Sequence, residues 1–401
     1  MEEVDVLIVG GGLVGASLAI ALDASGLRVA LAEAAPPKVD AQPSYDERNL
    51  ALARASVNAL DALGIWSHCA AHATPIRKIH VSRKGEFGVV RIDASRHGVD
   101  CFGATLPARE LGNGLLTRLD ACKGLIRLAP ARLTVIAQAD DAVVTTLATA
   151  EGERGLRTRL LVGADGTNSF VRDALGIDAE TRDYAQTAFV TTVTAERTID
   201  SAFERFTATG PVALLPLTQG RAGVVLTVPT PDAARVTALD DAGFIGLLHE
   251  RFGWRLGRLS KPGKRVSYPL RRLLAHRIVA PRAVLVGNAA QTLHPIGAQG
   301  FNLGLRDALT LAELLVEAKG DCGDPALLAE YAQRRREDRE GTAAQSDALA
   351  RWTANESPPL KLLRSFGLLA LDRLPPLQAA LARRGMGFRG RVPKLALGEL
   401  R

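Results

Sequence analysis

Three glycines in the pattern Gly10-x-Gly12-x-x-Gly15 follow the branched apolar run at residues 4–9 and open a helical pattern. The first glycine of such a motif permits a tight turn, and the second lets backbone approach a pyrophosphate. The third lets helix and strand pack closely. The helix start adds free N–H groups and the positive end of a dipole for the anion. Glu33 stands 18 residues after Gly15, at the end of the next predicted strand. A carboxylate there accepts hydrogen bonds from both ribose hydroxyls and disfavours a 2′-phosphate. The motif therefore predicts a dinucleotide site, and on its own it leaves FAD and NAD both open.

Two further blocks carry site chemistry. In the first, a strand at 160–163 runs into Asp165-Gly166, with Asn168 or Ser169 placed to cap a following helix. In the second, a strand at 283–287 leads through Asn288 and His294-Pro295 to Gly297, Ala298, Gln299 and Gly300, which open a long helix. A glycine-rich loop at a helix start presents N–H donors and partial positive charge. A reduced isoalloxazine, whose negative charge sits at N1 and O2, suits such a loop. Asn302, Gly304 and Asp307 fall at helical spacing, and Gly304 allows close approach of another element. His68 and His72 lie four apart but lack an HExxH pattern and a third ligand, so no metal is expected. His294 is read as shaping its loop, and no Ser/His/Asp arrangement can be assembled.

The elements that position these blocks follow from periodicity and punctuation. A helix is predicted over 13–25, closed by Gly26, then a strand over 28–33 and a proline-bearing loop over 36–44. Residues 48–63 read as a helix with Gly64 as its C-cap, and 109–120 as another. Residues 76–90 and 189–228 are strand-rich. A long helix is predicted over 300–318 and a charged one over 331–353, where the run from Arg334 to Glu340 reads as a solvated face.

Composition bounds the function. The 401 residues suit two lobes, and 47% apolar with 23% charged is ordinary for a folded globular protein. The four cysteines are scattered without a CxxC pair, which excludes a disulfide framework or zinc finger. The net charge of +7 lies wholly in residues 351–401, where ten basic side chains face three acidic ones. With aromatics at 4%, this is no nucleic-acid surface. No stretch reads as a membrane span. The acidic start MEEVD lacks a secretory n-region, so a cytoplasmic protein is expected.

In this order and at these distances, the three blocks resemble the FAD-dependent aromatic hydroxylases, the group-A flavoprotein monooxygenases with the para-hydroxybenzoate hydroxylase fold. The match extends over essentially the whole chain. The third block, with Glu204-Arg205-Phe206, residues 210–217 and the tail at 367–377, is similar to the ubiquinone-biosynthesis branch, the UbiH-like polyprenyl-methoxyphenol hydroxylases. The resemblance implies an α/β fold. A discontinuous, Rossmann-like FAD-binding domain (1–75, 106–180, 281–350) would interleave with a sheet-based substrate domain (76–105, 181–280), followed by a basic helical tail (351–401). It implies FAD held by Gly10, Gly12, Gly15, Glu33, Arg48, Arg109, Asp165, Asn288, Gly300 and Asn302, with Pro295, Gly297, Ala298, Gln299 and Gly300 near the flavin. Catalysis is expected to be driven by the flavin, with NAD(P)H as transient donor and O2 as co-substrate. One oxygen atom would enter the ring of a polyprenylated phenol walled by Phe206, Val212, Leu214, Leu215 and Pro216. Related hydroxylases of another ring position or aromatic, or a reductase on the same fold, are the alternatives. Other quinone-biosynthesis enzymes and the inner membrane face are the expected partners. The tail is read as a helix packed back on the FAD lobe, leucines inward and arginines toward solvent or anionic lipid.

Two departures from the family pattern stand out. Asn288 occupies a position that is Asp in most of the superfamily, and Gly297-Ala298 exchanges the usual Ala-Gly. A positive φ at Ala298 would cost of order 1 kcal/mol.

Overall fold

The apolar strand Glu2–Val9 has a parallel neighbour on each side, Val29–Ala32 and Gly152–Gly163, so Val6, Leu7 and Ile8 are wholly buried. Ala283–Leu285 extends the sheet beyond Gly152–Gly163, and Ile126–Leu128 extends it beyond Val29–Ala32. Val9 lies beside both Ala32 and Gly163, and Gly163 lies beside Leu285. These strands end at one level, so Gly10, Glu33, Asp165 and Gly287 all emerge along a single carboxyl edge. The computed structural model describes residues 1–23, 25–35, 48–318, 320–354 and 357–398. The loop expected over 36–44 lies outside them, as do Asp46 and Glu47.

The second sheet is mainly antiparallel and runs in the order Val266–Ala275, Ala179–Ala195, Arg221–Pro229, Val212–Pro216, Ser201–Phe206, Lys78–Arg83, Val89–Asp93. Residues from 78–93, and the short edge strand Gln291–Thr292 beside Val266–Ala275, thus join a sheet otherwise built from 179–275. One face packs on the Asp241–Phe252 helix through Phe189, Val212, Leu214, Val224, Leu226, Phe244 and Leu248. The other face looks toward the first domain. Together with C-terminal helices, this is the expected architecture.

Three expectations are corrected. The helix expected over 48–63 begins only at Arg54, because Asn49–Ala53 is a strand paired with Gly103–Pro107. Gly103 makes that pairing possible: its φ is +150, and a Cβ there would lie 1.9 Å from the Leu52 carbonyl oxygen. The Pro358–Arg373 helix packs on the Lys78–Asp93 hairpin of the sheet domain, and not on the FAD lobe as expected. Asp372 accepts the Arg91 N–H (2.8 Å), and Gly88 admits the helix backbone, since a Cβ there would lie 2.5 Å from the Ser365 carbonyl oxygen. Arg364 is buried and pairs with Glu86 (2.7 Å) rather than with solvent. Only the last residues return to the FAD lobe, through Met386 and Lys394.

The third correction concerns the charged run in the Pro325–Ala354 helix. Arg335, Asp338 and Arg339 are buried, Arg335 with 0% exposure. Arg335 Nε donates to Asp307 (2.7 Å) and its Nη2 to Asp338 (2.9 Å), while Arg306 Nε donates to Asp338 (2.6 Å). The other Asp307 oxygen accepts the Gly287 N–H (3.1 Å) and the Gln291 amide (2.5 Å). Burial alone would raise the Asp338 carboxyl, but Arg306 and Arg335 hold it below its ordinary value. Its ionisation therefore contributes stability above the ordinary carboxylate range, and this is lost as pH falls through the depressed value. Asp338→Ala strands two buried guanidinium groups and should cost about 3–5 kcal/mol, read as a lower urea midpoint. A midpoint equal to wild type would contradict the arrangement.

Candidate functional site: a flavin cradle opening into an apolar chamber

The carboxyl edge of the parallel sheet forms one end of a cavity of about 1310 Å³, larger than a pocket for one drug-sized ligand. Gly10, Gly12, Glu33, Arg48, Asp165, Asn288, Gly300 and Asn302 line it, as do Pro295, Gly297, Ala298 and Gln299. Two of the motif glycines, Gly10 and Gly15, are required sterically. Gly10 has φ +107, and a Cβ there would lie 2.5 Å from the Ala164 carbonyl oxygen. Gly15 is behind the wall: its Cβ would stand 1.9 Å from the Gly10 carbonyl oxygen, so it sets how closely the Leu13–Ala21 helix follows the strand. Arg109 also lies outside the wall, half-exposed beside Glu110 at a helix start.

The residues present fit FAD on several counts. The Leu13–Ala21 and Gln299–Glu317 helices both start at this cavity with no side-chain cap and no acid in the first turn. Their free N–H groups suit a pyrophosphate and an anionic flavin edge. Glu33 Oε2 accepts the Gly11 N–H (2.6 Å) and Oε1 the Ala35 N–H (2.8 Å), which orients the carboxylate and leaves lone pairs for a ribose. Asn288 exposes its amide to the cavity, with no side-chain partner among the described residues. The Arg48 guanidinium lies 5.7 Å from the Tyr268 ring centroid at the same wall.

Other motif residues in the wall also brace the protein itself. Asp165 accepts from Ser169 Oγ (2.5 Å) and the Val171 N–H (3.0 Å), and burial pushes its carboxyl up. Ser169 caps the short helix, as one of the two expected candidates. Asn302 spends its whole side chain on the protein: Oδ1 accepts from the Ala53 N–H and Ser56, and Nδ2 donates to the Ala51 and Ala298 carbonyls. It clasps the flavin loop to the Asn49–Ala53 strand. Ala298 adopts φ +51, ψ 41, so the exchange with Gly297 carries the anticipated strain of about 1 kcal/mol. Gly304 does bring helix and turn together, since a Cβ on it would lie 3.0 Å from the Gly287 Cα. Buried His294 accepts the Ile296 N–H at Nδ1 and faces Gln186 with Nε2. Burial lowers its pKa to about 4, so it is a neutral shaper of the loop.

The opposite end of the cavity is apolar. Phe206 and Leu215 line it, but Val212, Leu214 and Pro216 do not. Side chains alternate across a strand, so Ala213 and Leu215 face the cavity while Val212 and Leu214 face the helix-covered core. Ile79, Val81, Val90 and Ile92 continue the wall, and Leu368, Leu371 and Leu381 close it from the C-terminal helices. Sequence reasoning missed those leucines, and also Ala131–Thr134 beside Glu33, which no motif marks.

A Rossmann-like sheet, two uncapped helix starts and a second sheet roofing one cavity define the flavin-dependent aromatic hydroxylase class. Comparison with known proteins narrows it. A family described as FAD binding domain matches residues 3–346. The chain is 40% identical over 387 residues to ubiquinone hydroxylase UbiL of Rhodospirillum rubrum, covering 96% of this chain and 89% of that one. It is 32% identical over 398 residues to 3-demethoxyubiquinol 3-hydroxylase of Escherichia coli, covering 96% and 99%. The structure of p-nitrophenol 4-monooxygenase from Pseudomonas putida shares the fold, with TM-score 0.81 at 20% identity over 98% and 100% of the chains. The chain belongs to the FAD-binding family of monooxygenases, and within it to the ubiquinone-biosynthesis hydroxylases.

Gly15→Ala drives a methyl group into the Gly10 carbonyl and must displace the helix start that faces the cavity. The purified variant should be folded but colourless. Recovery of stoichiometric FAD from it would overturn the cradle.

Proposed function

We propose that this enzyme hydroxylates the aromatic ring of a polyprenylated phenol of the 2-polyprenyl-6-methoxyphenol kind, using NAD(P)H and O2. The observation that carries the reading is the single cavity joining the dinucleotide edge to an apolar chamber. FAD, when bound, supplies the transfer of electrons from NAD(P)H and the activation of O2. The chain's own residues bind, orient and exclude water. The helix starts at Leu13 and Gln299 offer N–H donors to the anionic parts of the cofactor, and Asn288 offers a free amide. Phe206, Ala213 and Leu215 offer a dry wall for the aromatic ring. Leu368, Leu371 and Leu381 suit the isoprenoid chain. That the two named relatives are hydroxylases of ubiquinone and demethoxyubiquinol supports the same substrate class.

Substrate delivery follows from the same helix. While Leu368 and Leu371 of Pro358–Arg373 face the cavity, Leu362 (57%), Leu363 (56%) and Phe366 (58%) are exposed on its other side. Phe87 packs edge-on to Phe366 and is itself exposed, and Trp352 is exposed nearby in sequence. No helix among the described residues is long and apolar enough to cross a membrane. This apolar face, with exposed Arg373 and Arg383 in the same segment, is suited to rest on anionic lipid, where each cation adds about 1 kcal/mol. The helix then separates the bilayer from the chamber, and the substrate crosses only its thickness.

One experiment tests substrate and delivery together. Long-chain 2-polyprenyl-6-methoxyphenol in phosphatidylglycerol vesicles should stimulate NAD(P)H oxidation by wild type. The triple variant Leu362→Ser, Leu363→Ser, Phe366→Ser should lose that turnover while keeping FAD and turnover of a short-chain phenol in solution. Equal turnover of vesicle-borne phenol by both proteins would remove the membrane role. No response of wild type to either phenol would remove the substrate reading.

A further inference from the structure

Within the apolar chamber stands one carboxyl group that the binding of FAD does not use. Glu204 lies on Ser201–Phe206, whose alternation turns Ala202, Glu204 and Phe206 toward the cavity. Its register neighbours are Val81 on one side and Ala213 on the other, both apolar and both in the cavity wall. Among the described residues it has no hydrogen-bond or ion-pair partner. The ionisable groups nearest along these strands, His80 and Arg205, are absent from the cavity wall, and no charged side chain acts on the carboxyl. Burial alone pushes its pKa up to about 7.

A carboxyl group without a partner is costly in a greasy wall, and burying one without a ligand stabilises nothing. A phenol entering the chamber brings the missing donor, because its ring is apolar and its one polar group is an O–H. We propose that Glu204 accepts the proton of the substrate's phenolic hydroxyl. The O–H bond breaks and an Oε–H bond forms. The electron pair left on the phenol oxygen enriches the ring carbon that receives oxygen. When the hydroxylated ring regains aromaticity, its C–H proton leaves to water and the electron pair of that bond returns to the ring; the phenol oxygen takes back the proton held by Glu204, which restores the carboxylate. This assignment rests on the phenol reading above and names the group that activates that substrate.

The raised pKa sets the sign of the pH dependence. Below about 7 the carboxyl is protonated and cannot act as acceptor, so turnover should fall toward acid. With 2-farnesyl-6-methoxyphenol and FAD-loaded enzyme, Glu204→Gln should lower kcat on the order of 100-fold and abolish that acid limb. The loss should be much smaller for a ring-fluorinated counterpart, which gives up its proton more easily. A binding readout stands apart from turnover. Without NAD(P)H and O2, wild type should prefer the phenol over its methyl ether by about tenfold, and Glu204→Ala should erase that preference. FAD content of both variants reports that they fold. If wild type turns over the phenol while Glu204→Gln keeps its kcat and pH profile, or loses equally with both phenols, the assignment falls alone. If wild type is inert toward the phenol, the substrate reading falls and the assignment falls with it.

Discussion

The buried ionic network beneath the turn at Gly287 is the constraint on which the rest depends. Asp307 holds the Gly287 N–H with one oxygen and Arg335 with the other, and Asp338 closes the network by binding Arg335 and Arg306. Arg306 and Arg335 are paired with Asp307 and Asp338, while the third buried guanidinium, Arg339, donates to the Gln291 amide oxygen and the Ala275 carbonyl. Breaking the network by removing one partner is far more costly than its net contribution. It joins three parts of the sequence: the turn after Ala283–Leu285, the Gln299–Glu317 helix and the Pro325–Ala354 helix. The turn presents Asn288 to the cavity, and the Gln299–Glu317 helix presents its uncapped start. The network therefore fixes where these two features of the cavity wall stand relative to the parallel sheet.

On that base, the site arises from strand register more than from any single residue. Val9, Ala32, Gly163 and Leu285 lie side by side, so segments far apart in sequence deliver their next residues to one edge. The second sheet then roofs this edge with its apolar face. The Pro358–Arg373 helix fastens to the outer hairpin through Arg364, Glu86 and Asp372 and closes the chamber. Polar groups cluster at the dinucleotide end and apolar ones at the far end.

Much of this is legible in the sequence, for local reasons. Gly10, Gly12, Gly15 and Glu33 sit in a short strand–turn–helix–strand unit whose geometry is fixed by neighbours in the chain. Features set by distant partners are not legible. The stripe Tyr331, Arg335, Asp338, Thr342 has helical spacing, but its charges read as solvated until Asp307 and Arg306 are seen opposite. Residues 49–53 become a strand because Gly103 lets a second strand approach. Val212 and Leu214 read as substrate wall in the sequence because a strand's pattern does not reveal which face meets which layer. Asn302 reads as a cofactor ligand, yet its side chain serves the loop that holds the cofactor.

The central claim is that the cavity brings activated oxygen to an aromatic ring. Turnover of 2-farnesyl-6-methoxyphenol under 18O2, with mass analysis of the product, tests this most directly. One 18O atom should appear on the product ring, and NAD(P)H oxidation should depend on the phenol. Phenol-dependent NAD(P)H oxidation with no label in the product would contradict it and make the protein a reductase on a hydroxylase fold.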